Sequence, residues 1–391
     1  MRIIVMCGKG GTGKTALAAA LGLKAAELGK RTLVFSVDPA HSLSLAFDTP
    51  LGAQPTQVGA HLWGAELEAI EELEANWSEV KDYFTTLLQT QGLDNRLGGE
   101  LSSLPGINEF AALVKLKQFY DSKQFDTIII DNAPTGFALR LMSLPEIFAW
   151  YAKHVIRLYE RHGAQIMLMV PMVGASLPMP SQQVIGRGFG LIEMLKGLPM
   201  IFADPAITST RLVLTADPMA LEEAKQAYGY LCLYGLNADA VILNNTLPDV
   251  VQDPFFQPRR EREAAIRAQT QELFRPLPVW EAPMQPTEPI GLEALGRLAA
   301  SAWPDGDPTT PQSDERAITL KRNAEGQLLV SFKLPFVSSK DVDLAKFENE
   351  LYITIGNHRR TLLLPPEATE MQPIKAKFSE GRLLVTLAIP A

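Results

Sequence analysis

Cysteine is scarce in this chain of 391 residues, since Cys7 and Cys232 are the only two. Two cysteines so far apart in sequence exclude a disulfide framework and a zinc site built from C-x-x-C pairs. We therefore expect no zinc and a reducing, cytoplasmic environment. The apolar start RIIVMC runs directly into a glycine-rich loop, so we identify no targeting segment.

Long apolar runs and an excess of positive charge are also missing. The composition is 47% hydrophobic and 20% charged, without an unbroken apolar stretch of the roughly 20 residues that span a bilayer. The formal net charge is −8, which argues against a general nucleic-acid binder. We expect a globular protein that has no nucleic-acid partner and at most a transient association with membranes.

Short apolar runs alternate with longer segments of helical period over residues 1–302. Strands that are apolar throughout are typical of a parallel sheet covered on both faces. The pattern therefore predicts a doubly wound α/β domain with a mostly parallel sheet. The predicted strands are residues 2–7, 31–38, 125–131, 164–170, 211–217 and 238–245. The predicted helices are residues 14–28, 66–91, 107–122, 136–162, 218–234, 258–274 and 290–301.

The composition changes after this domain. Residues 303–315, WPDGDPTTPQSDE, are rich in proline, small polar residues and acids, which is typical of a linker. Residues 316–391 then alternate apolar and polar positions, with turn residues at 323–326 and 379–381. We predict a small all-β sandwich domain here.

Residues 8–15, GKGGTGKT, fit the phosphate-binding pattern G-x-x-x-x-G-K-[ST]. The loop joins a predicted strand to a predicted helix, whose first N–H groups and dipole favour phosphate. In such loops the lysine, here Lys14, bridges the β- and γ-phosphates, and the hydroxyl residue, here Thr15, holds Mg²⁺. The alternative is a glycine-rich turn without function. The residues expected to contact ATP are Gly10, Gly11, Thr12, Gly13, Lys14, Thr15 and Ala16.

Two aspartates follow predicted strands, at the edge where open α/β sheets bind ligands. Asp38, in SVDPAHS, could orient or deprotonate a water that attacks the γ-phosphate, or could act as a helix N-cap. Asp131 follows three isoleucines and fits an aspartate that reaches Mg²⁺ through water, with a turn-forming role as the alternative.

The loop contains a second lysine, Lys9. Together with DPAHS and with DNAPTGFALRLMSLP at 131–145, it resembles the deviant P-loop ATPases of the arsenite-pump and tail-anchored-protein-targeting family. That family is related to the septum-positioning and plasmid-partition ATPases. The resemblance implies a homodimer in which Lys9 reaches the partner's nucleotide, Asp38 activates water and Asp131 belongs to a switch. Without the resemblance, Lys9 would be a solvated loop lysine.

The expected nucleotide is ATP. Residues 243–249, LNNTLPD, lack the N-K-x-D arrangement that reads guanine. The family resemblance implies that Asn244 and a proline-containing loop at 282–292, with Pro283, enclose the adenine. An ordinary strand-end cap is the alternative role for Asn244.

Several family features are absent or changed. The eukaryotic targeting factors hold their dimer with zinc at C-x-x-C pairs, and the arsenite-pump ATPases bind metalloid through several cysteines. This chain has neither set, so a metal-free dimer is expected and metalloid handling is poorly supported. Phe137 stands where many relatives carry a histidine, which leaves the response of the switch helix open.

Residues 165–205 hold six of the twelve methionines. Methionine-rich, loop-broken helices are adaptable apolar surfaces, and in the targeting branch of the family this region forms a groove for a client's hydrophobic helix. Core or dimer packing is the alternative.

The β domain resembles the α-crystallin domain of small heat-shock proteins. Its FSEGRLLVTL stands in place of the A-x-x-x-G-x-L signature, with Phe378 near the alanine position. The resemblance implies packing within a dimer or contact with a client.

The function expected from these features is an Mg²⁺-dependent ATPase that acts as a homodimer. Nucleotide-driven closure would reshape an apolar groove in a chaperone or targeting role for hydrophobic protein segments. One alternative is the ATPase motor of an arsenite pump. Another is a partition-type positioning protein, which would need a basic DNA-binding surface or an amphipathic membrane helix.

Overall fold

The computed structural model describes residues 1–67, 107–132, 190, 195 and 197–389. An eight-stranded sheet has the order β3-β4-β2-β5-β1-β6-β7-β8, and all neighbours are parallel except the pair β3 and β4. This confirms the predicted doubly wound sheet. The strands are β1 Arg2–Gly8, β2 Thr32–Ser36, β3 Thr56–Gly59, β4 Leu62–Glu66, β5 Thr127–Asp131, β6 Thr208–Thr215, β7 Ala238–Thr246 and β8 Val279–Pro283.

Helices cover both faces of the sheet. In β1, Ile3 and Val5 join one apolar core, whereas Ile4 and Met6 join the other, because successive side chains of a strand point to opposite faces. The first core packs against α3 and α5 and the second against α1 and α7. The described helices are α1 Lys14–Glu27, α2 Ser42–Phe47, α3 Ile107–Ser122, α4 Leu198–Ala203, α5 Pro218–Leu233, α6 Gln257–Leu273 and α7 Gly291–Ala302.

The predicted helix at 66–91 is wrong at its first two residues, because neither Glu66 nor Leu67 is helical. Glu66 ends β4, where it pairs with Ser36 of β2 and its N–H donates to the carbonyl of Gly52. Pairing with a buried strand outweighs the local helical period. Residues 68–91 of that helix, the predicted helix at 136–162 and the predicted strand at 164–170 lie outside the described residues.

Two antiparallel sheets with a common apolar core form the C-terminal domain, which confirms the predicted all-β fold. The four-stranded sheet has the order β14-β15-β10-β9, and the three-stranded sheet has the order β11-β12-β13. The strands are β9 Ile318–Arg322, β10 Leu328–Lys333, β11 Val342–Phe347, β12 Glu350–Ile355, β13 His358–Leu363, β14 Gln372–Ser379 and β15 Arg382–Ala388.

The β domain packs on the C-terminal end of α5. Leu233 belongs to the core of the β domain, and its carbonyl accepts a hydrogen bond of 2.8 Å from Nη1 of Arg360. The rings of Tyr230 and His358 have centroids 3.8 Å apart. One helix of the α/β domain therefore supplies part of the second domain's core.

The segment predicted as a linker lies against the large sheet, near the amino-terminal ends of its strands. Lys30 contacts Asp307 and Thr309, and Nε of Arg2 donates to the carbonyl of Thr309 at 3.1 Å. Buried Arg211 contacts the carbonyl of Pro308. Charged groups of the sheet thus hold this stretch of chain in place.

Candidate functional site

The phosphate-binding pattern forms the turn between β1 and α1. Gly11 and Gly13 have φ values of 79° and 84°, a region that favours glycine. Gly13 immediately precedes α1 and has no side chain to cap it, and the first turn of α1 contains no acidic residue. The N–H groups of that turn are therefore available to an anion, which is the arrangement of a phosphate site.

Residues of the strands β6 and β7 pack closely against this loop. A Cβ on Gly8 would overlap the carbonyl of Val213 in β6, and a Cβ on Gly13 would overlap the side chain of Asn244. Nδ2 of buried Asn244 donates to the carbonyl of Thr12 at 2.8 Å. The predicted adenine contact at the end of β7 is thus also a direct support of the phosphate loop.

The predicted loop at 282–292 includes the last two residues of β8 and the first two of α7. Pro283, the last residue of β8, lies next to the end of β7. The N–H of Met284 donates to the carbonyl of Thr246 at 2.9 Å. A cavity of about 270 Å³ lies between this loop and α7. Its lining includes Gln285, Pro286, Thr287 and Pro289. Asn244 and Pro283 therefore lie near the ends of adjacent strands.

The two loop lysines point to different places. Lys14 is buried, and its Nζ donates to the carbonyl of Lys9 at 2.9 Å. Burial lowers the pKa of Lys14, and the nearby carboxylate of Asp131 acts in the opposite direction. Nζ of Lys9 instead lies 3.0 Å from Oε1 of Glu223 on α5, and both side chains are about two-fifths exposed, at 42% and 44%. The side chain of Lys14 therefore bonds back onto the loop, whereas that of Lys9 reaches α5.

Asp131 is fully buried at the end of β5, between β1 and β2. Its Oδ2 accepts a hydrogen bond of 3.0 Å from Oγ of Ser36, while its Oδ1 has no hydrogen-bond partner among the described residues. Burial raises the pKa of Asp131 to about 6, and the nearby hydroxyls of Thr15 and Ser36 and the charge of Lys14 oppose that rise. A nearby cation would stabilise the ionised carboxylate further.

The oxygen atoms around Asp131 suit a small divalent cation. Oγ1 of Thr15 lies 3.2 Å from Oγ of Ser42, the first residue of α2. Hydroxyl and carboxylate oxygens are the ligands that Mg²⁺ prefers. Mg²⁺ also commonly keeps several bound waters, which can donate hydrogen bonds to a nearby carboxylate. The unpartnered Oδ1 of Asp131 is such an acceptor. These residues therefore fit Mg²⁺.

Asp38 lies in the loop between β2 and α2, and it does not cap α2. The residue before α2 is His41, at φ 49°, and Oδ1 of Asp38 accepts a hydrogen bond of 3.1 Å from the N–H of Ala40 within the loop. The N–H of Asp38 approaches Oγ of Ser36 at 3.4 Å. Because Ser36 also contacts Asp131, one buried hydroxyl links the two motif aspartates.

Sequence reasoning missed four residues at this edge. Ser36 and Glu66 end neighbouring strands, Glu223 binds Lys9, and Asn132 follows Asp131 with both polar atoms of its buried amide unpartnered among the described residues. Polar residues at the ends of apolar strands are a usable signal for Ser36 and Asn132. No local pattern marks Glu223.

Some predicted features lie outside the described residues. They are the Pro-Thr-Gly segment after Asp131, Phe137 and most of the methionine-rich region at 165–205. In the described part of that region, Met200 on α4 is 79% exposed. Among the described residues, no helix is both long and apolar enough to cross a membrane, and no cluster of three or more His, Cys, Asp or Glu side chains could hold a metal ion.

Comparison with protein families identifies the family to which this chain belongs. The family described as "Anion-transporting ATPase" matches residues 1–302, which include the loop and both aspartates. The chain belongs to this family. It is accordingly an ATPase. An "HSP20-like domain found in ArsA" matches residues 325–387, in agreement with the α-crystallin-like β domain.

Relatives of this ATPase include proteins named as pump-driving ATPases and proteins named GET3. It is 32% identical to "Putative arsenical pump-driving ATPase 1" of Aquifex aeolicus, over 99% of this chain and 100% of that protein. A similarly named protein of Chlorobaculum tepidum is 32% identical over 97% of this chain and 94% of its own length. The ATPase GET3A of Arabidopsis thaliana is 26% identical over 82% of this chain and 89% of its own length.

Proposed function

We propose that this ATPase works as a homodimer whose subunits are not bridged by a metal ion. Closure of the dimer around ATP reshapes an apolar surface that binds hydrophobic protein segments. The observation that supports the dimer most directly is the position of Lys9. Its Nζ contacts Glu223 on α5, while Nζ of Lys14 bonds a carbonyl of the loop itself. A cation outside its own site is placed to serve a neighbouring one.

Each described group then has a chemical task. The amides of residues 10–16 and the ammonium of Lys14 bind the phosphates of ATP. Thr15 would hold Mg²⁺ directly and Asp131 would hold it through water, and the ion would neutralise charge on the β- and γ-phosphates. Asp38 orients the attacking water and accepts its proton. Asn244 and Pro283 enclose the adenine.

Lys9 of the partner subunit supplies the remaining cation. Negative charge develops on the γ-phosphate oxygens and the leaving group during hydrolysis, and a positive charge positioned at that point lowers the barrier. Because this lysine arrives only when the dimer closes, hydrolysis is coupled to closure. The partner's ammonium takes the part that an arginine finger plays in other P-loop enzymes.

The client-binding role is supported by the resemblance to targeting factors, by the α-crystallin-like domain and by exposed apolar side chains. Met200 lies within the methionine-rich region and is 79% exposed, and Phe347 at the end of β11 is 67% exposed. Met200 marks one possible client surface, the apolar groove, and Phe347 marks the other, the β domain.

Crosslinking tests this role. An Asp38→Asn protein loaded with ATP is exposed to a photoreactive peptide with about 20 apolar residues, the length of a membrane span, and to the same peptide with three central lysines. Preferential capture of the apolar peptide is expected, and it should fall in Met200→Asp but not in Phe347→Asp. Equal capture of both peptides would refute the client role, whereas loss only in Phe347→Asp would move the client to the β domain.

A pump motor is the second candidate, because relatives that match over nearly the whole chain are named arsenical pump-driving ATPases. Cys232 is fully buried, and burial raises the pKa of its thiol to about 12, so it is not a thiolate at neutral pH. A buried thiol is a poor metalloid ligand. Stimulation of ATP hydrolysis by arsenite that survives a Cys7→Ser, Cys232→Ser double substitution would favour this alternative.

A further inference from the structure

Among the described residues, the buried carboxylate of Glu66 makes its hydrogen bonds and its ion pair with one short stretch of chain, residues 41–44. Its Oε1 accepts a hydrogen bond of 2.8 Å from the N–H of Ser44, and its Oε2 accepts one of 2.6 Å from the Ser44 hydroxyl. Nδ1 of His41 lies 3.4 Å from the same Oε2. Glu66 thus holds the first turn of α2 and the residue before it.

The Ser44 hydroxyl both donates and accepts a hydrogen bond in this arrangement. It donates to Glu66 and accepts a hydrogen bond of 3.2 Å from the N–H of Leu51, in the chain that follows α2. Burying an ionised carboxylate is costly unless strong hydrogen bonds compensate for lost water. Its hydrogen bonds to Ser44 therefore make the buried carboxylate of Glu66 an anchor for α2.

The position of this anchor in the sheet is informative. Glu66 pairs in register with Ser36 of β2, and Ser36 pairs in register with Asp131 of β5. The three residues end three adjacent parallel strands and form one row. Ser36 fixes the start of the loop that carries Asp38 through its hydrogen bond to Asp131.

Glu66 fixes the other end of the same loop. Asp38 lies between Ser36, which ends β2, and His41, which precedes α2 and contacts Glu66. His41 has a φ of 49°, a left-handed conformation that a residue with a side chain adopts only when its surroundings hold it. Contacts at both ends therefore restrict where the Asp38 carboxylate can stand.

We propose that Glu66 is a positioning residue for Asp38: its carboxylate holds the first turn of α2 so that the short loop presents Asp38 to the attacking water. This inference rests on the proposed role of Asp38. Glu66 itself lies against α2, where its carboxylate bonds Ser44. Loss of its carboxylate should lower turnover while the phosphate loop continues to bind nucleotide.

The test compares Glu66→Ala, Glu66→Gln and Ser44→Ala in the full-length protein. We expect kcat to fall about ten- to hundredfold in Glu66→Ala, since small misplacements of a catalytic group cost this much. The affinity for ADP should change less than about twofold, because the P-loop contacts remain. In Glu66→Gln, kcat should fall less, since the amide oxygen of the glutamine can still accept a hydrogen bond from the Ser44 N–H.

Hydrogen exchange supplies a readout that does not depend on catalysis. Amide protection of residues 41–47 should fall in Glu66→Ala and in Ser44→Ala, while that of α1 stays unchanged. The two substitutions should also be non-additive in kcat when combined, because they break the same contact.

Asp239→Asn is the matched control. Asp239 is another buried carboxylate of the same sheet. It lies near the amino-terminal end of β7, whereas Glu66 lies at the carboxyl end of β4, and it contacts Arg2 and Arg211. Its loss should destabilise the fold without a selective change in kcat.

The outcomes separate two failures. Wild-type kcat in Glu66→Ala beside an inactive Asp38→Asn would overturn the positioning role and leave the proposed chemistry intact. Wild-type kcat in Asp38→Asn would overturn the role of Asp38 and this inference with it. A parallel loss of kcat and ADP affinity in all three variants would show that Glu66 supports the whole site and would also overturn the proposal.

Discussion

Lys9 and Glu223 join the phosphate-binding loop to α5 through an ion pair, with Nζ and Oε1 3.0 Å apart. Helix α5 also contributes Leu233 to the core of the β domain. One helix thus contacts the loop near its first turns and the second domain at its last turn. In the proposed mechanism, Lys9 must leave Glu223 before it can reach a partner's nucleotide.

Removal of Glu223 should therefore favour the closed dimer. The pair is exposed, and exposed ion pairs contribute about 0–1 kcal/mol, so Glu223→Ala should raise kcat/KM at most about fivefold. The gain should shrink at high salt, which screens the pair in the wild type. ATP hydrolysis at 50 and 500 mM salt measures both effects.

Glu222→Ala is the control for that experiment, because Glu222 is a neighbouring exposed glutamate that pairs with Lys225 instead. It removes the same charge from α5 without freeing Lys9. Equal behaviour of the two variants would mean that the contact between Lys9 and Glu223 has no part in closure.

Asp131 should give the nucleotide-free protein a distinct pH dependence. Its pKa is raised from 3.8 to about 6 in the folded state, so the folded protein holds this proton more tightly than the unfolded chain does. The resulting stabilisation is complete below the unfolded pKa and is lost as pH rises through the folded pKa. Between pH 5 and pH 7.5 the wild type should lose about 1 kcal/mol more than Asp131→Asn.

Denaturant unfolding of both proteins at the two pH values measures this difference. Mg²⁺ with ADP should reduce it, since a cation beside the carboxylate favours its ionised form. Identical pH dependence in the two proteins would show that burial does not perturb Asp131.

Gly235 should be essential to the contact between α5 and the β domain. It has a φ of 78°, and a Cβ there would lie 2.7 Å from Nη1 of Arg360, which is bonded to the carbonyl of Leu233. Gly235→Ala should therefore lower the free energy of unfolding by about 2–3 kcal/mol, of which about 1–2 is backbone strain.

Gly326→Ala separates the strain from the overlap. Gly326 also has a φ of 78°, but a Cβ there meets no atom within 4 Å. Its substitution should cost only the strain, as measured by the same unfolding curves. If both variants lose the same stability, the overlap with Arg360 contributes nothing.

Local patterns predicted the parts of the fold that are fixed by local chemistry. β1, the phosphate loop and α1 follow from an apolar run, glycines and a helical period, and the hairpin turn at Glu380 and Gly381 follows from its residues. Short elements such as α2 and β8 were missed because five or six residues carry too little periodicity.

Long-range partners could not be predicted from the sequence. Glu223 and Glu66 look like ordinary surface glutamates in the sequence, and only the sheet order places them beside Lys9 and the loop of Asp38. The composition of residues 303–315 indicates a linker, because composition reflects local conformational preferences alone. The side chains that hold this segment against the sheet, those of Lys30 and Arg2, lie far away in the chain.

The central claim is that Lys9 acts on the partner's nucleotide, and a mixed dimer tests it most directly. Lys9→Ala and Asp38→Asn subunits, each inactive alone, are co-expressed with different tags, and the dimer that carries both tags is isolated. Each such dimer contains one site with an intact Asp38 and an intact lysine from its partner. We predict roughly half of the wild-type rate of ATP hydrolysis per dimer. A mixed dimer as inactive as either parent would contradict the account.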